Sequence, residues 1–251
     1  MSNINNADER VDRVNENILL IQKKDGLTFG TDALLLAAFA KAAPKSIALD
    51  LGSGTGIVSF LCAARNKFKK IIAVEAQPDF YDITCRNIEI NNLTEKVFAL
   101  CKDVRDLSFS DLKAEADVIF TNPPYMRAGS GKTNDSDIKA IARHEILGGI
   151  EDFCKAAAKN LKHGGIFYVV YRPERMTELF YAMKAAKIEP KRLCLVHSDS
   201  ERPPSLILVQ GKKGAFSGIS IDKPLFMYKD STHSEYTEDF TYIYDNGYFK
   251  E

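Results

Sequence analysis

The chain has 251 residues, 45% of them hydrophobic and 27% charged, the composition of an ordinary soluble globular protein with enough length to bury its own core. Its 34 basic and 34 acidic side chains cancel to a formal net charge of zero, which excludes a strongly cationic nucleic-acid coat but not a local basic face. No stretch approaches 18 apolar residues, and residues 1–13 are polar, so neither a membrane span nor a secretory leader is expected and the default address is cytoplasmic.

In chain order, residues 17–41 (NILLIQKKDGLTFGTDALLLAAFAK) predict a short hairpin and then a helix capped at Thr31 or Asp32. From residue 46 onward, apolar runs alternate with amphipathic stretches. SIALDL (46–51) leads into a glycine loop, and IVSFLCAAR (57–65) has helical spacing. KIIAVEA (70–76) is strand-like, and PDFYDITCRNIEINN (78–92) opens on proline with apolar residues at helical intervals. VFALCKD (97–103) and ADVIFTN (116–122) read as strands. EDFCKAAAKNL (151–161) reads as a helix stopped by Gly164-Gly165, ahead of a strand GIFYVVY (165–171). PERMTELFYAMKAA (173–186) is a helix with proline in its first turn, and RLCLVHS (192–198) and SLILVQGK (205–212) are closing strands.

Strands that read as unbroken apolar runs are buried on both faces, and their alternation with helices implies a parallel sheet with right-handed crossovers. The last two runs are joined only by SDSERPP, which favours an antiparallel hairpin at the sheet edge. Five alternating strands plus that hairpin make seven strands in an α/β fold with helices on both faces, a layout that resembles the Rossmann-like seven-stranded methyltransferase fold. The expected layout is a core at 46–213 flanked by an N-terminal hairpin and helix (1–45) and an aromatic tail (214–251) packed on it, one domain in all. The fold of the tail is not readable.

The five cysteines (Cys62, Cys85, Cys101, Cys154 and Cys194) are far apart, with no C-x-x-C pair, and four lie in apolar runs as candidate core residues. The four histidines are scattered as well, so no disulfide framework and no metal site are expected. Nothing in the sequence sets the oligomeric state, and a monomer is the default.

The string Asp50-Leu51-Gly52-Ser53-Gly54-Thr55-Gly56 follows the first core strand and opens a helix. Glycines there allow a sharp turn and close approach of backbone to a ligand. The dehydrogenase pattern G-x-G-x-x-G would need glycine at 57, where Ile57 stands, and the lysine of a phosphate-binding loop is absent. A D-x-G-x-G-x-G string fits a loop for S-adenosylmethionine better. Glu75 ends the next strand, where a carboxylate can accept both hydroxyls of a ribose or simply be a solvated charge. Asp103 ends the third strand, placed either to accept an adenine amino group or to sit with Asp106 in a polar turn.

Asn122-Pro123-Pro124-Tyr125 follows the fourth strand, at the carboxyl end where open α/β sheets bind ligands. A planar amine or amide nitrogen is a poor nucleophile because its lone pair is delocalised. Two acceptors on its hydrogens, the Asn122 side-chain oxygen and the Pro123 backbone carbonyl, help free that lone pair toward a methyl donor. The prolines hold the carbonyl in a fixed direction, and Tyr125 offers an aromatic face to a flipped base or an amide. No general base is required, because the proton on the product nitrogen becomes acidic once the methyl arrives, and most of the rate would come from positioning and electrostatics.

These segments resemble S-adenosylmethionine-dependent methyltransferases of the N-P-P-Y class, which modify the exocyclic amine of adenine or the amide of glutamine. FGTDALLL (29–36), DLGSGTGIVSF (50–60), NPPY (122–125), ARHE (142–145), YRPERMTEL (171–179) and PPSLILVQGKKG (203–214) together are similar to the bacterial tRNA(Val) adenine-N6-methyltransferase family. The resemblance covers nearly the whole chain. It implies S-adenosylmethionine as cofactor, tRNA as partner, and an adenosine beside the anticodon as acceptor. It also implies donor contacts at Gly52, Gly54, Glu75 and Asp103, with Asp50 and Gly56 in the same loop and Asn122 bordering the donor too, and acceptor contacts at Asn122, Pro123 and Tyr125. Asp32 would border the methionine end of the donor. The runner-up is the glutamine methyltransferase of peptide-release factors, whose relatives carry a larger helical domain ahead of the glycine loop than the roughly 50 residues here accommodate. Another amino-group methyltransferase of rRNA or DNA and an idle RNA-binding relative complete the alternatives. Basic clusters that could meet RNA are Lys67, Lys69 and Lys70; Arg127, Lys132, Lys139 and Arg143; Arg172 and Arg175; Lys184, Lys187, Lys191 and Arg192; and Lys212 and Lys213. The polar segment 126–137 is expected to order on RNA.

Overall fold

The computed structural model describes residues 7–24, 30–125 and 148–250. The segment 126–137, the basic residues Arg127, Lys132, Lys139 and Arg143, and ARHE (142–145) lie outside the described residues. A hairpin of β1 (Glu9–Arg13) and β2 (Leu19–Lys23) precedes α1 (Thr31–Phe39). Then come β3 (Ala43–Leu51), α2 (Ile57–Ala64), β4 (Phe68–Glu75), α3 (Pro78–Ile90), β5 (Val97–Cys101), the single turn α4 (Phe109–Leu112) and β6 (Ala116–Thr121). Further along are α5 (Ile150–Asn160), β7 (Leu161–Tyr171), a 3₁₀ turn at Pro173–Arg175, α6 (Met176–Ala185), β8 (Ile188–His197) and β9 (Pro204–Lys213). The tail forms two-residue strands β10 (Ser220–Ile221) and β11 (Leu225–Phe226) and the helix α7 (Glu238–Asn246).

The main sheet runs β10-β8-β9-β7-β6-β3-β4-β5, with β11 also on β8. It is parallel apart from β9, which is antiparallel to both β7 and β8. The chain winds outward from β3 through β4 to β5, then returns to the other side of β3 as β6, so the strand order reverses between β3 and β6. Crevices at such reversals are where open α/β sheets hold their ligands. Burial of apolar runs on both faces accounts for the strands. One core cluster joins α1, α2, Ile88 of α3 and α7 to one face of the sheet, and the other joins α5 and α6 to the opposite face.

Four details differ from the sequence-based expectation. The hairpin begins at Glu9, because the amphipathic β1 covers β2 and its buried Glu9 is held by both terminal nitrogens of Arg86 on α3. The N-cap of α1 is Gly30 rather than Thr31 or Asp32, and the side chain of Asp32 instead accepts the amide of Ala33 within the first turn. Helix α5 ends at Asn160 and β7 starts at once, so Gly164 and Gly165 lie inside the strand at a register jump from Ala116↔Leu161 to Val118↔Ile166. The β8–β9 hairpin is not the sheet's last element, since β10 and β11 pair with its outer strand. Three of the five free cysteines, Cys62, Cys154 and Cys194, are buried, while Cys85 is half-buried and Cys101 exposed.

The tail has its own stop signals. Thr237 caps α7 by accepting the amide of Phe240, and Gly247 ends the helix in the left-handed region. Phe240 and Ile243 enter the core, and Phe249 meets Phe39 edge to face at 5.6 Å. The buried ammonium of Lys67 joins these parts. It donates to the carbonyls of Ala37, Ala38 and Ala40 at the end of α1, at 2.6, 3.3 and 2.7 Å, and lies 4.3 Å from the centre of the Tyr248 ring. A cation at a helix C-terminus satisfies carbonyls that have no partner within the helix. Lys67 is therefore a structural cap and not part of a surface basic cluster. Replacing it by Met is expected to lower unfolding free energy by about 3 kcal/mol in urea titration, the cost of leaving buried acceptors unpaired. A loss under about 1 kcal/mol would mean that the helix end finds other donors.

Candidate active site

The site forms at the reversal point because β3 and β6 end in register, Leu51 opposite Thr121. The Thr121 hydroxyl donates to the Leu51 carbonyl at 2.7 Å, fastening the last residues of the two strands together. The next residues along the two chains are Gly52 and Asn122, so the glycine loop and the N-P-P-Y segment leave the sheet side by side.

The glycine loop is held from three directions. The amides of Gly52 and Ser53 donate to the Val74 carbonyl on β4. Thr84 on α3 donates to the Gly54 carbonyl at 2.8 Å, and Asn87 on the same helix donates to the Thr55 carbonyl at 3.1 Å. Asn87 and Asn91 also exchange hydrogen bonds with the backbone of Ile21 and Leu19, so two side-chain amides act as a neighbouring strand for β2 and connect the hairpin to the loop. Gly56 has φ +88°, and a Cβ there would stand 2.5 Å from the Phe60 ring, so packing alone demands glycine. Gly54 has φ +57°, and nothing lies within 4 Å of where its Cβ would be. The backbone at Gly54 is therefore open on that side.

The acids differ in their surroundings. Glu75 is 3% exposed; one oxygen accepts the Gly54 amide at 2.8 Å and the other the Gln77 amide at 2.9 Å. Burial raises its pKa, and the amides pull it back. The Gln77 side-chain amide also reaches the second of these oxygens at 3.5 Å, so the spare lone pair is on the oxygen that accepts Gly54. Asp50 is buried beneath the loop and accepts the Ser59 hydroxyl at 2.7 Å; burial pushes its carboxyl up to about 7. Asp103 is engaged by the Arg105 guanidinium, whose hydrogen bond holds the carboxyl below its ordinary value. Asp32 reaches the site from the first turn of α1.

Asn122, Pro123 and Tyr125 follow β6. The Tyr125 hydroxyl lies 2.5 Å from the Asn122 amide oxygen and 3.1 Å from a carboxylate oxygen of Asp32. Burial and the Asp32 charge raise the phenol pKa. The R-P-E-R segment surrounds the same tyrosine. The Arg172 guanidinium lies 4.8 Å from the centre of the Tyr125 ring, and Tyr171 meets it edge to face at 5.9 Å. Arg175 donates to the Tyr125 carbonyl and is paired with Glu178. Thr84, Asn87, Tyr171 and Glu178 were not foreseen. Tyr171 and Glu178 lie in the YRPERMTEL segment that carries the resemblance, and the four-residue spacing of Asn87 and Asn91 puts two amides on one helix face.

The profile of the methyltransferase small domain family matches residues 23–186. The chain belongs to that family. This methyltransferase is 28% identical over 204 residues to the tRNA1(Val) (adenine(37)-N6)-methyltransferase of Flavobacterium johnsoniae, covering 80% of this chain and 85% of that protein. It is 26% identical over 202 residues to the protein of the same name from Dyadobacter fermentans, covering 79% and 81% of the two chains. Among solved structures, a predicted O-methyltransferase from Agrobacterium tumefaciens superposes with a TM-score of 0.69 at 20% identity, over 87% of this chain and 98% of that one. The M. jannaschii tRNA m1G37 methyltransferase superposes with a TM-score of 0.57 at 16% identity, over 84% and 59% of the chains. The fold is thus the α/β methyltransferase fold, and S-adenosylmethionine is the methyl donor of this enzyme class. The loop's chemistry fits that group. Gly54 leaves open space, Ser53 has a buried hydroxyl oxygen without a hydrogen-bond partner among the described residues, and buried carboxylates suit a cationic ligand.

Asp50 yields a pH test. A carboxyl whose folded pKa is raised stabilises the fold fully below its unfolded value near 3.8 and loses that contribution as pH rises through about 7. Asp50→Asn removes the titration and keeps an acceptor for Ser59. The stability of the variant relative to wild type is expected to rise between about pH 4 and pH 7 and level off above, in urea unfolding across that range. A pH-independent difference would contradict the raised value.

Proposed function

We propose that this methyltransferase modifies the exocyclic N6 amine of an adenosine in a tRNA anticodon loop, next to the anticodon, with tRNA(Val) the expected species. The carrying observation is Asn122-Pro123-Pro124-Tyr125 leaving β6 directly beside the glycine loop, the two fastened by the bond from Thr121 to Leu51. The names of the curated relatives support the RNA acceptor.

The glycine loop from Gly52 to Gly56, together with Glu75, would hold the donor; the Glu75 oxygen on Gly54 has a lone pair for one ribose hydroxyl, and the other oxygen meets the second by giving up its 3.5 Å bond from the Gln77 side chain. Asp50 supports the loop from below. Asp103 takes the adenine end only by sharing its oxygens with Arg105. When bound, S-adenosylmethionine supplies an electrophilic methyl group. The Asn122 side-chain oxygen and the Pro123 carbonyl accept the two hydrogens of the acceptor amine and turn its lone pair toward that carbon. The donor would supply the carbon of the new C–N bond and the sulfur that leaves with the C–S electrons, and the surplus proton on nitrogen would pass to water. Arg172 and Arg175 hold Tyr125 in the wall of the site, so a flipped base meets a fixed aromatic surface.

The test is incubation with labelled methyl donor and either tRNA or a peptide-release factor. Label on N6 of adenosine in tRNA is expected, and label on glutamine of the release factor would overturn the assignment. Asn122→Ala is expected to lower methyl transfer at least about a hundredfold while donor affinity in calorimetry stays within about twofold of wild type. Loss of donor affinity would contradict the acceptor role. RNA affinity should fall steeply with salt, as phosphate contacts require, and a flat response would argue for another acceptor.

A further inference from the structure

The Tyr125 hydroxyl carries one proton and faces two acceptors, the Asn122 amide oxygen at 2.5 Å and an Asp32 carboxylate oxygen at 3.1 Å. Asp32 and Tyr125 are 93 residues apart in sequence, and the hydrogen bond joins the first turn of α1 to the segment that follows β6. On the reading above, the Asn122 oxygen must accept a hydrogen from the acceptor amine. A tyrosine proton donated to that same oxygen competes with the amine.

We infer that Asp32 is a positioning residue for methyl transfer: it takes the hydrogen bond of the Tyr125 hydroxyl and so frees the Asn122 oxygen for the acceptor amine. This inference rests on the proposed function. No bond to hydrogen breaks in the step. The O–H rotates about the phenol C–O bond from the amide oxygen to the carboxylate, and the incoming N–H takes its place. Charge favours the exchange, since a hydroxyl bonds more strongly to a carboxylate than to a neutral amide. The rest of the tyrosine is held through its ring and its carbonyl by Arg172 and Arg175, which leaves the proton as the part free to turn. Among the described residues, the other partner of the hydroxyl is Asn122, which keeps the proton when Asp32 is removed.

The experiment is a double-mutant cycle on the full chain with Asp32→Ala, Tyr125→Phe and the double variant, measuring kcat, KM for RNA and donor affinity. Asp32→Ala is expected to lower kcat/KM for RNA about tenfold or more without weakening donor binding. Tyr125→Phe alone is expected to cost about threefold. Adding Tyr125→Phe to Asp32→Ala is expected to recover most of the loss, because the competing hydroxyl is gone. Asp32→Ser keeps a hydroxyl at the helix start but is too short to reach Tyr125, so it should repeat the pattern if the alanine variant melts early. Penalties that multiply would overturn the inference, as would an Asp32 variant that weakens donor binding equally with and without the tyrosine hydroxyl. A wild-type protein that methylates no RNA would instead overturn the proposed function, an outcome separable from failure of the cycle.

Discussion

A side-chain hydroxyl joins the ends of two strands that are 70 residues apart in sequence. Thr121 donates to the Leu51 carbonyl where β6 and β3 stop, and both chains turn out of the sheet at that level. Because the strands are parallel and in register, their exits lie next to each other. One exit carries the glycine loop and the other the N-P-P-Y segment. Slippage of this pair by two residues would leave both motifs intact in sequence yet move them roughly 7 Å apart along the strands, too far for one methyl group to pass between them. The register of β3 with β6 is therefore the constraint on which any shared chemistry of the two loops depends.

Much of the remaining structure restrains those loops. Helix α3 grips the glycine loop through Thr84 and Asn87 and grips the N-terminal hairpin through Asn87 and Asn91, so one helix face supports both. Helix α1 sends Asp32 to the hydroxyl of Tyr125, while its other end is tied down by Lys67 and, through Tyr248, by the tail. Arg172 and Arg175 hold Tyr125 from the far side. Segments distant in sequence thus converge on Tyr125. The zero net charge is compatible with this arrangement, since several of the basic side chains serve internal contacts rather than a general cationic surface.

The order of strands and helices was legible because buried parallel strands are continuous apolar runs and the crossover helices keep a 3.6-residue period. Glycine and proline marked the loops well, with one instructive exception. Gly164 and Gly165 follow an apolar helix and look like its end, but α5 stops earlier at Asn160 and the glycines allow a bulge in β7. A bulge is a matter of pairing between strands, which local sequence does not encode. The same limit explains Lys67. In sequence it stands near two other lysines and looks solvated, whereas its burial depends on α1 ending 27 residues earlier at Ala40. The positions of Gly52, Gly54, Glu75 and Asn122 at strand ends were readable from motif spacing. The pairing of Asp103 with Arg105 and of Tyr125 with Asp32 was not, because each depends on side-chain geometry. The tail was unreadable for a further reason: its two short strands exist only as partners of β8.

The most direct test is a crystal structure of the protein grown with S-adenosylmethionine. The account requires the donor to lie along the Gly52–Gly56 turn, with its ribose at Glu75 and its methyl group directed at Asn122. Density for the donor elsewhere on the molecule, or a methyl group directed away from Asn122, would contradict it.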